Sequence, residues 1–201
     1  VNRMPAIAVI AIASVVGLAA CANPTTTGSP SAESTRGSVS SGATPTSTGG
    51  RPSTGDDLDI AKFADKPCEL VTPEQLASLG KLRPAKPESD PFGVKCVWPG
   101  NDPRDDTSYI VTLLSKGGTF EVRRDNAKDL PVFAEVTVGG RDAFSYDTTD
   151  GKSSCSTGVK VSAEHLIMAQ STLGRQDAAN AGKPCQASEK LAAIVVSNLK
   201  G

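Results

Sequence analysis

The spacing of apolar positions divides the chain into three stretches. From Ala6 to Ala20 it is almost unbroken Ala, Ile, Val and Leu, interrupted by Ser14 and Gly17. A helix of that length spans about 22 Å, short of the ~30 Å hydrocarbon core, and suits the apolar region of an export signal. Between residues 22 and 55 there is no aromatic residue, and 26 of the 34 positions are Ser, Thr, Gly or Pro. Such a segment cannot bury enough apolar surface to offset its ordering entropy, so a disordered tether is expected. From Asp57 to Gly201 apolar residues return with the periods of folded elements, over a length that suits one domain.

Within that domain, Thr72-Pro73-Glu74-Gln75 predicts the start of a helix. Thr72 is placed as N-cap, Pro73 at the first helical position and Gln75 to close a capping box, with Val71 and Leu76 spaced for a hydrophobic staple. Gly80 ends this helix, which turns Leu76 and Leu79 inward. Val94 to Trp98 and Ser108 to Ser115 read as strands, and Phe120 to Lys128 as a helix entered from Thr119. Val132, Ala134, Val136 and Val138 alternate with Phe133, Glu135 and Thr137, the period of a strand with two distinct faces. Gly139-Gly140 is a two-residue hairpin turn leading back through Ala143 to Tyr146. After a polar loop, Asp147 to Ser153, further strands are expected at Ser154 to Ser162 and His165 to Leu173. Beyond Pro184, Leu191, Ile194, Val195 and Leu199 recur at helical spacing, with Gln186, Glu189 and Lys190 on the other side and Asn198 interrupting the stripe. Hairpin-length connections predict an α+β domain: a mainly antiparallel sheet with helices packed on it.

Chemistry adds a location. Leu18-Ala19-Ala20-Cys21 reads as a lipobox, in which residues 1–20 are a lipoprotein signal peptide and Cys21 becomes the lipid-bearing N-terminus of a 21–56 linker. Two acyl chains of palmitate type, at ~0.8 kcal/mol per buried CH₂, would hold the 57–201 domain to the cell membrane on its extracytoplasmic side. That domain carries 18 Lys+Arg against 20 Asp+Glu, a formal net charge of −2, without a basic stripe. Nucleic acid is therefore not an expected partner.

Four cysteines, Cys68, Cys96, Cys155 and Cys185, point to disulfides in an exported domain. Sequence permits three connectivities; Cys68–Cys96 and Cys155–Cys185 are expected because each closes a local loop. Zinc fits poorly, since no pair has C-x₂-C spacing and His165 is the one histidine. No other metal or cofactor is implied.

Candidate reactive groups are sparse. His165 has the titration range of a general base, with Ser162 and Glu164 nearby, but the spacing is not that of a triad and a polar strand start is expected. Asn101 to Asp106 concentrates oxygen ligands that Ca²⁺ would accept, yet Arg104 sits among them and EF-hand spacing is lacking, so a solvated turn is expected. Asp56, Asp57 and Asp59 read as the polar edge of the tether. Trp98, two residues after Cys96, shares its strand face, either in the core or as a wall of an apolar ligand cavity. Leu166, Ile167 and Met168 suit a strand buried on both faces, or the lining of a lipid-binding cleft.

One resemblance rests on the order of motifs: a lipobox and Ser/Thr tether, then Pro67-Cys68-Glu69-Leu70-Val71-Thr72-Pro73-Glu74-Gln75-Leu76, Cys96-Val97-Trp98, Val138-Gly139-Gly140-Arg141-Asp142-Ala143, Cys155 and Pro184-Cys185. From Lys66 onward the chain resembles the LprB/LprC-type lipoproteins of mycobacteria and related actinobacteria. The resemblance implies a cell-envelope lipoprotein with paired cysteines and assigns no catalytic residue. The expectation is a non-enzymatic domain that binds a protein partner or a small apolar ligand; the alternatives are an envelope hydrolase and a structural surface lipoprotein without a specific ligand. Replacing Cys21 by Ala should remove the lipid, and the intact mass of the mature protein measures this directly.

Overall fold

A computed structural model describes residues 57–201; the signal segment, Cys21 and the 21–56 linker lie outside the described residues. The chain enters through two short 3-10 turns, Ala61–Phe63 and Pro67–Leu70, and helix α1 (Pro73–Ala77). Strands β1 (Lys86–Asp90), β2 (Gly93–Trp98) and β3 (Ser108–Leu114) precede helix α2 (Phe120–Ala127). Strands β4 (Val132–Val138), β5 (Arg141–Asp147), β6 (Ser154–Lys160) and β7 (Leu166–Thr172) follow, and helix α3 (Pro184–Lys200) closes the domain. All seven strands form one antiparallel sheet in the order β1-β2-β3-β7-β6-β5-β4. The fold is α+β, as the hairpin-length connections require.

The expected α-helices and strands form, and one strand and the two 3-10 turns are added. β1 was not legible, because Lys-Pro-Glu-Ser-Asp has neither apolar alternation nor a β-branched residue, and all five of its residues are exposed. It exists because it pairs along its whole length with β2. The capping box at Thr72 forms in both directions, with Gln75 N–H donating to Thr72 Oγ1 and Thr72 N–H donating to Gln75 Oε1. α1 stops at Ala77, so Leu79 is buried from the turn beyond the helix and Leu76 is only half-buried. Gly139 and Gly140 have φ of 59° and 79°, the conformation that a two-residue turn of the favoured hand demands.

Period-two alternation divides the core between the two faces of the sheet. On one face α3 lays Ala187, Leu191, Ala192, Val195, Val196 and Leu199 against Tyr109, Val111, Val159, Ile167 and Ala169. Full burial of each Val, Leu or Ile is worth roughly 1.5–3 kcal/mol. The second face carries a smaller cluster, Leu114, Phe120, Ala127, Phe144, Leu166 and Met168, beneath α2. The central strand β7 serves both clusters, so its apolar run is buried on both sides.

Both disulfides form as expected. Cys68–Cys96 ties the second 3-10 turn to β2, and Cys155–Cys185 ties β6 to the first turn of α3. Polar groups hold α3 as well. Asn198, which breaks the apolar stripe, donates to Leu70 O and exchanges hydrogen bonds with the Gln75 amide, joining α3 to α1. Glu189 departs from the polar side that helical spacing gave it: its carboxylate accepts from Ser145 Oγ at 2.8 Å. Ser145, Thr157 and Ser188 are buried and linked by their hydroxyls at 2.9 and 2.7 Å. With one hydrogen each, Ser145 donates to Glu189 and Thr157 to Ser145, while the single Ser188 hydrogen has two acceptors in reach, Thr157 Oγ1 and Cys185 O at 2.9 Å.

Asp147 organises the polar loop after β5. Its buried carboxylate accepts from Thr149 N–H and Oγ1, Gly151 N–H and Ser154 Oγ. Burial opposes ionisation, but these donors outweigh it and bring the pKa down to about 2 from 3.8. A depressed carboxylate pKa stabilises the fold above the unfolded-state value, and that share is lost as pH falls through the folded-state value. Urea unfolding should therefore lose about 2 kcal/mol through Asp147 between about pH 5 and pH 2. Asp147→Asn should flatten that slope.

Candidate functional site

α2 covers the second face of the sheet thinly. Thr119 caps it, its Oγ1 accepting from Val122 N–H, and only Phe120 and Ala127 of its eight residues are buried. Beneath it the sparse aromatic residues converge. Of the seven Phe and Tyr residues in the chain, Phe120, Phe133, Phe144 and Tyr146 belong to this layer. Phe144 lies at their centre, edge-on to Phe120 at 5.3 Å and stacked with Tyr146 at 5.8 Å. Gly158 makes room for it: Phe144 pairs directly across from Gly158, and a Cβ there would lie 2.7 Å from the ring.

Between the C-terminal half of α2 and this aromatic surface is a cavity of about 190 Å³. Ala127, Leu130, Phe144, Tyr146 and Met168 supply its apolar lining, and Arg123 and Asn126 its polar groups. The Arg123 guanidinium lies over the ring of Phe92, 5.8 Å from its centroid, a cation–π arrangement. Gly117, at φ 85°, allows that approach, because a Cβ there would lie 2.6 Å from Phe92 and 2.8 Å from Arg123. Arg123 Nε is buried and has no hydrogen-bond partner among the described residues. A buried, unpaired donor on a charged group costs of order 1–3 kcal/mol or more.

Wider depressions are chemically less demanding. One, about 570 Å³, is lined by Leu58, Arg141, Asp142, Lys160 and Lys200 among others. Its cations are already engaged: Arg141 donates to Lys160 O and Val161 O, Lys160 pairs with Glu121, and Lys200 donates to Gly139 O. Another, about 510 Å³, runs between the start of α2 and strands β4 and β5.

The remaining sequence candidates fall elsewhere. Trp98 is fully buried with Cys96 in the α3-side cluster, whereas Leu166 and Met168 belong to the α2-side cluster. A possible ligand cavity lined by Trp98, Leu166 and Met168 together is therefore divided between the two faces of the sheet; sequence shows which residues are apolar, but not which face each takes without strand register. Met168 alone of the three lines the cavity beneath α2. His165 closes the β6–β7 turn with its Nδ1 3.3 Å from Ser162 Oγ, while that hydroxyl accepts the N–H groups of Glu164 and His165. Those are the bonds of a Ser turn. In the segment Asn101 to Asp106, Asp102 and Asp106 accept backbone N–H groups, and Asp105 pairs with Arg175. Among the described residues no group of three or more side chains is placed to hold a metal ion.

Arg123 and the aromatic layer escaped sequence reading. Phe120, Phe133, Phe144 and Tyr146 are spread over 27 residues of an otherwise ordinary segment. The one available signal was Gly158 within a strand, which marks close approach by a neighbouring group.

Residues 16–198 match the model of a family described as protein of unknown function, DUF3558. The chain belongs to that family. No curated protein and no solved structure matches it. The DUF3558 match spans nearly all of the chain, so family membership covers the cleft and both disulfides but assigns no activity to them. In this DUF3558 domain, Gly158→Val should push Phe144 out of its seat. The expected loss is about 1–3 kcal/mol of stability with a weakened near-UV circular dichroism signal.

Proposed function

We propose that this chain is a lipid-anchored cell-envelope lipoprotein of the LprB/LprC type, whose extracytoplasmic domain is a non-enzymatic binding module. Its cleft beneath α2 takes the apolar end of a ligand that also carries an anionic group. The observation behind this reading is the buried, unpaired Nε of Arg123 beside an aromatic cavity. At ~30 Å³ per water-sized group, 190 Å³ accommodates about six such groups: a short acyl end or one aromatic ring, not a whole lipid. Arg123 would supply the charge-assisted hydrogen bond to a carboxylate or phosphate, and Phe144, Tyr146 and Met168 the apolar contact. The lipobox at Cys21 supports the location, with the domain held near the membrane from which such amphiphiles come.

Octanoate is the probe that tests this. Calorimetry on the full chain in micelles of a non-ionic detergent should show octanoate binding that octanol does not reproduce. Arg123→Met should weaken it at least about tenfold, a loss of ~1.4 kcal/mol. The same substitution should leave the thermal midpoint unchanged or raised, because it removes a buried donor that lacks an acceptor. Equal octanoate binding by the variant would overturn the assignment of Arg123.

A further inference from the structure

The two edges of the sheet are built differently. β1 is charged at three of its five positions and contains Pro87, which has no N–H to offer. A proline in an edge strand and a row of charges are the usual defences against pairing with another chain. β4 has neither. It reads Val-Phe-Ala-Glu-Val-Thr-Val, seven residues with one charge and no proline, and among the described residues it pairs only with β5.

The register shows which backbone groups are open. A two-residue turn at Gly139-Gly140 makes Val138 and Arg141 a hydrogen-bonded pair, so Val136, Ala134 and Val132 bond to β5 in alternation. The N–H and C=O groups of Phe133, Glu135 and Thr137 therefore point outward. Among the described residues no backbone hydrogen bond reaches them. Beside them runs the 510 Å³ depression, lined by Glu135, Thr137 and Asp142 and closed by Phe120 and Arg124 of α2. Arg124 lies 3.8 Å from Glu135, while the exposed Asp142 carboxylate has no ion pair or hydrogen bond among the described residues.

From these features we infer that β4 is a docking edge for an extended segment of a partner protein. The segment adds as an eighth strand, with a Lys or Arg directed into the depression beside Asp142. Strand addition supplies main-chain affinity and the depression supplies selectivity. A second copy of this chain fits less well, because a two-fold pairing centred on Glu135 sets like charges directly opposite. The inference is independent of the Arg123 cleft, which lies along the other half of α2.

The test is amide hydrogen exchange on the full chain in non-ionic detergent. The probes are a capped heptapeptide alternating valine with lysine and a control alternating valine with glutamate. The lysine peptide should slow exchange at Phe133, Glu135 and Thr137 at least about tenfold at ~1 mM, and the glutamate peptide should not. Glu135→Pro should abolish the effect, and Asp142→Lys, which leaves the backbone free, should weaken it several-fold. Unchanged protection of the β5 amides would show that both variants remain folded. Three findings would each overturn the inference: slow exchange at those amides without peptide, no slowing by the lysine peptide, or a concentration-dependent dimer lost in Glu135→Pro.

Discussion

The packing of α3 against β3, β7 and β6 is the contact on which the rest of the domain depends. It buries the largest set of aliphatic side chains, and it is fixed at both ends by different chemistry. At the N-terminal end, Cys155–Cys185 sets the height of the helix over β6, and the hydroxyl chain from Ser188 to Glu189 sets its rotation. At the C-terminal end, Asn198 locks the helix to the capping box of α1. With both ends held, the helix has one available register on the sheet. Any displacement would cost buried hydrogen bonds as well as apolar area.

That strength on one face permits economy on the other. α2 is short and mostly polar, and two buried residues hold it over an aromatic layer that it does not fill. The cavity, the unpaired Arg123 donor and the depression beside β4 all adjoin this one helix. Local stability varies within a domain, and binding regions are drawn from its weaker end. The division is between a face packed and bonded at both ends of its helix and a face whose short helix leaves space beneath it.

Elements with a local cause were legible in the chain itself. The capping box at Thr72, the Gly139-Gly140 turn, the alternation of Val132 to Val138 and the stripe of α3 each draw on residues a few positions apart, and each formed. β1 was not legible, since its cause is the free edge of β2 rather than anything in Lys86 to Asp90. The cleft was equally hidden. Phe120, Phe144 and Met168 meet only after three strands have paired in register, and Arg123 looks like any helix-surface cation until Phe92 is brought beneath it. Trp98 shows the same lesson in reverse: its strand face was predictable, but the company it keeps across the sheet was not.

The entry into the domain, from Leu58 to Cys68, has a mechanical consequence. Leu58 donates its N–H to Val161 O at 2.8 Å, and ten residues later Cys68 is bonded covalently to Cys96 in β2. A pull arriving from the N-terminal side can peel away only the short entry segment before the load crosses that sulfur bridge. From there it passes into a strand hydrogen-bonded on both sides, between β1 and β3. The domain can thus be dragged by its leading end while its helices and the sheet that carries them stay in place.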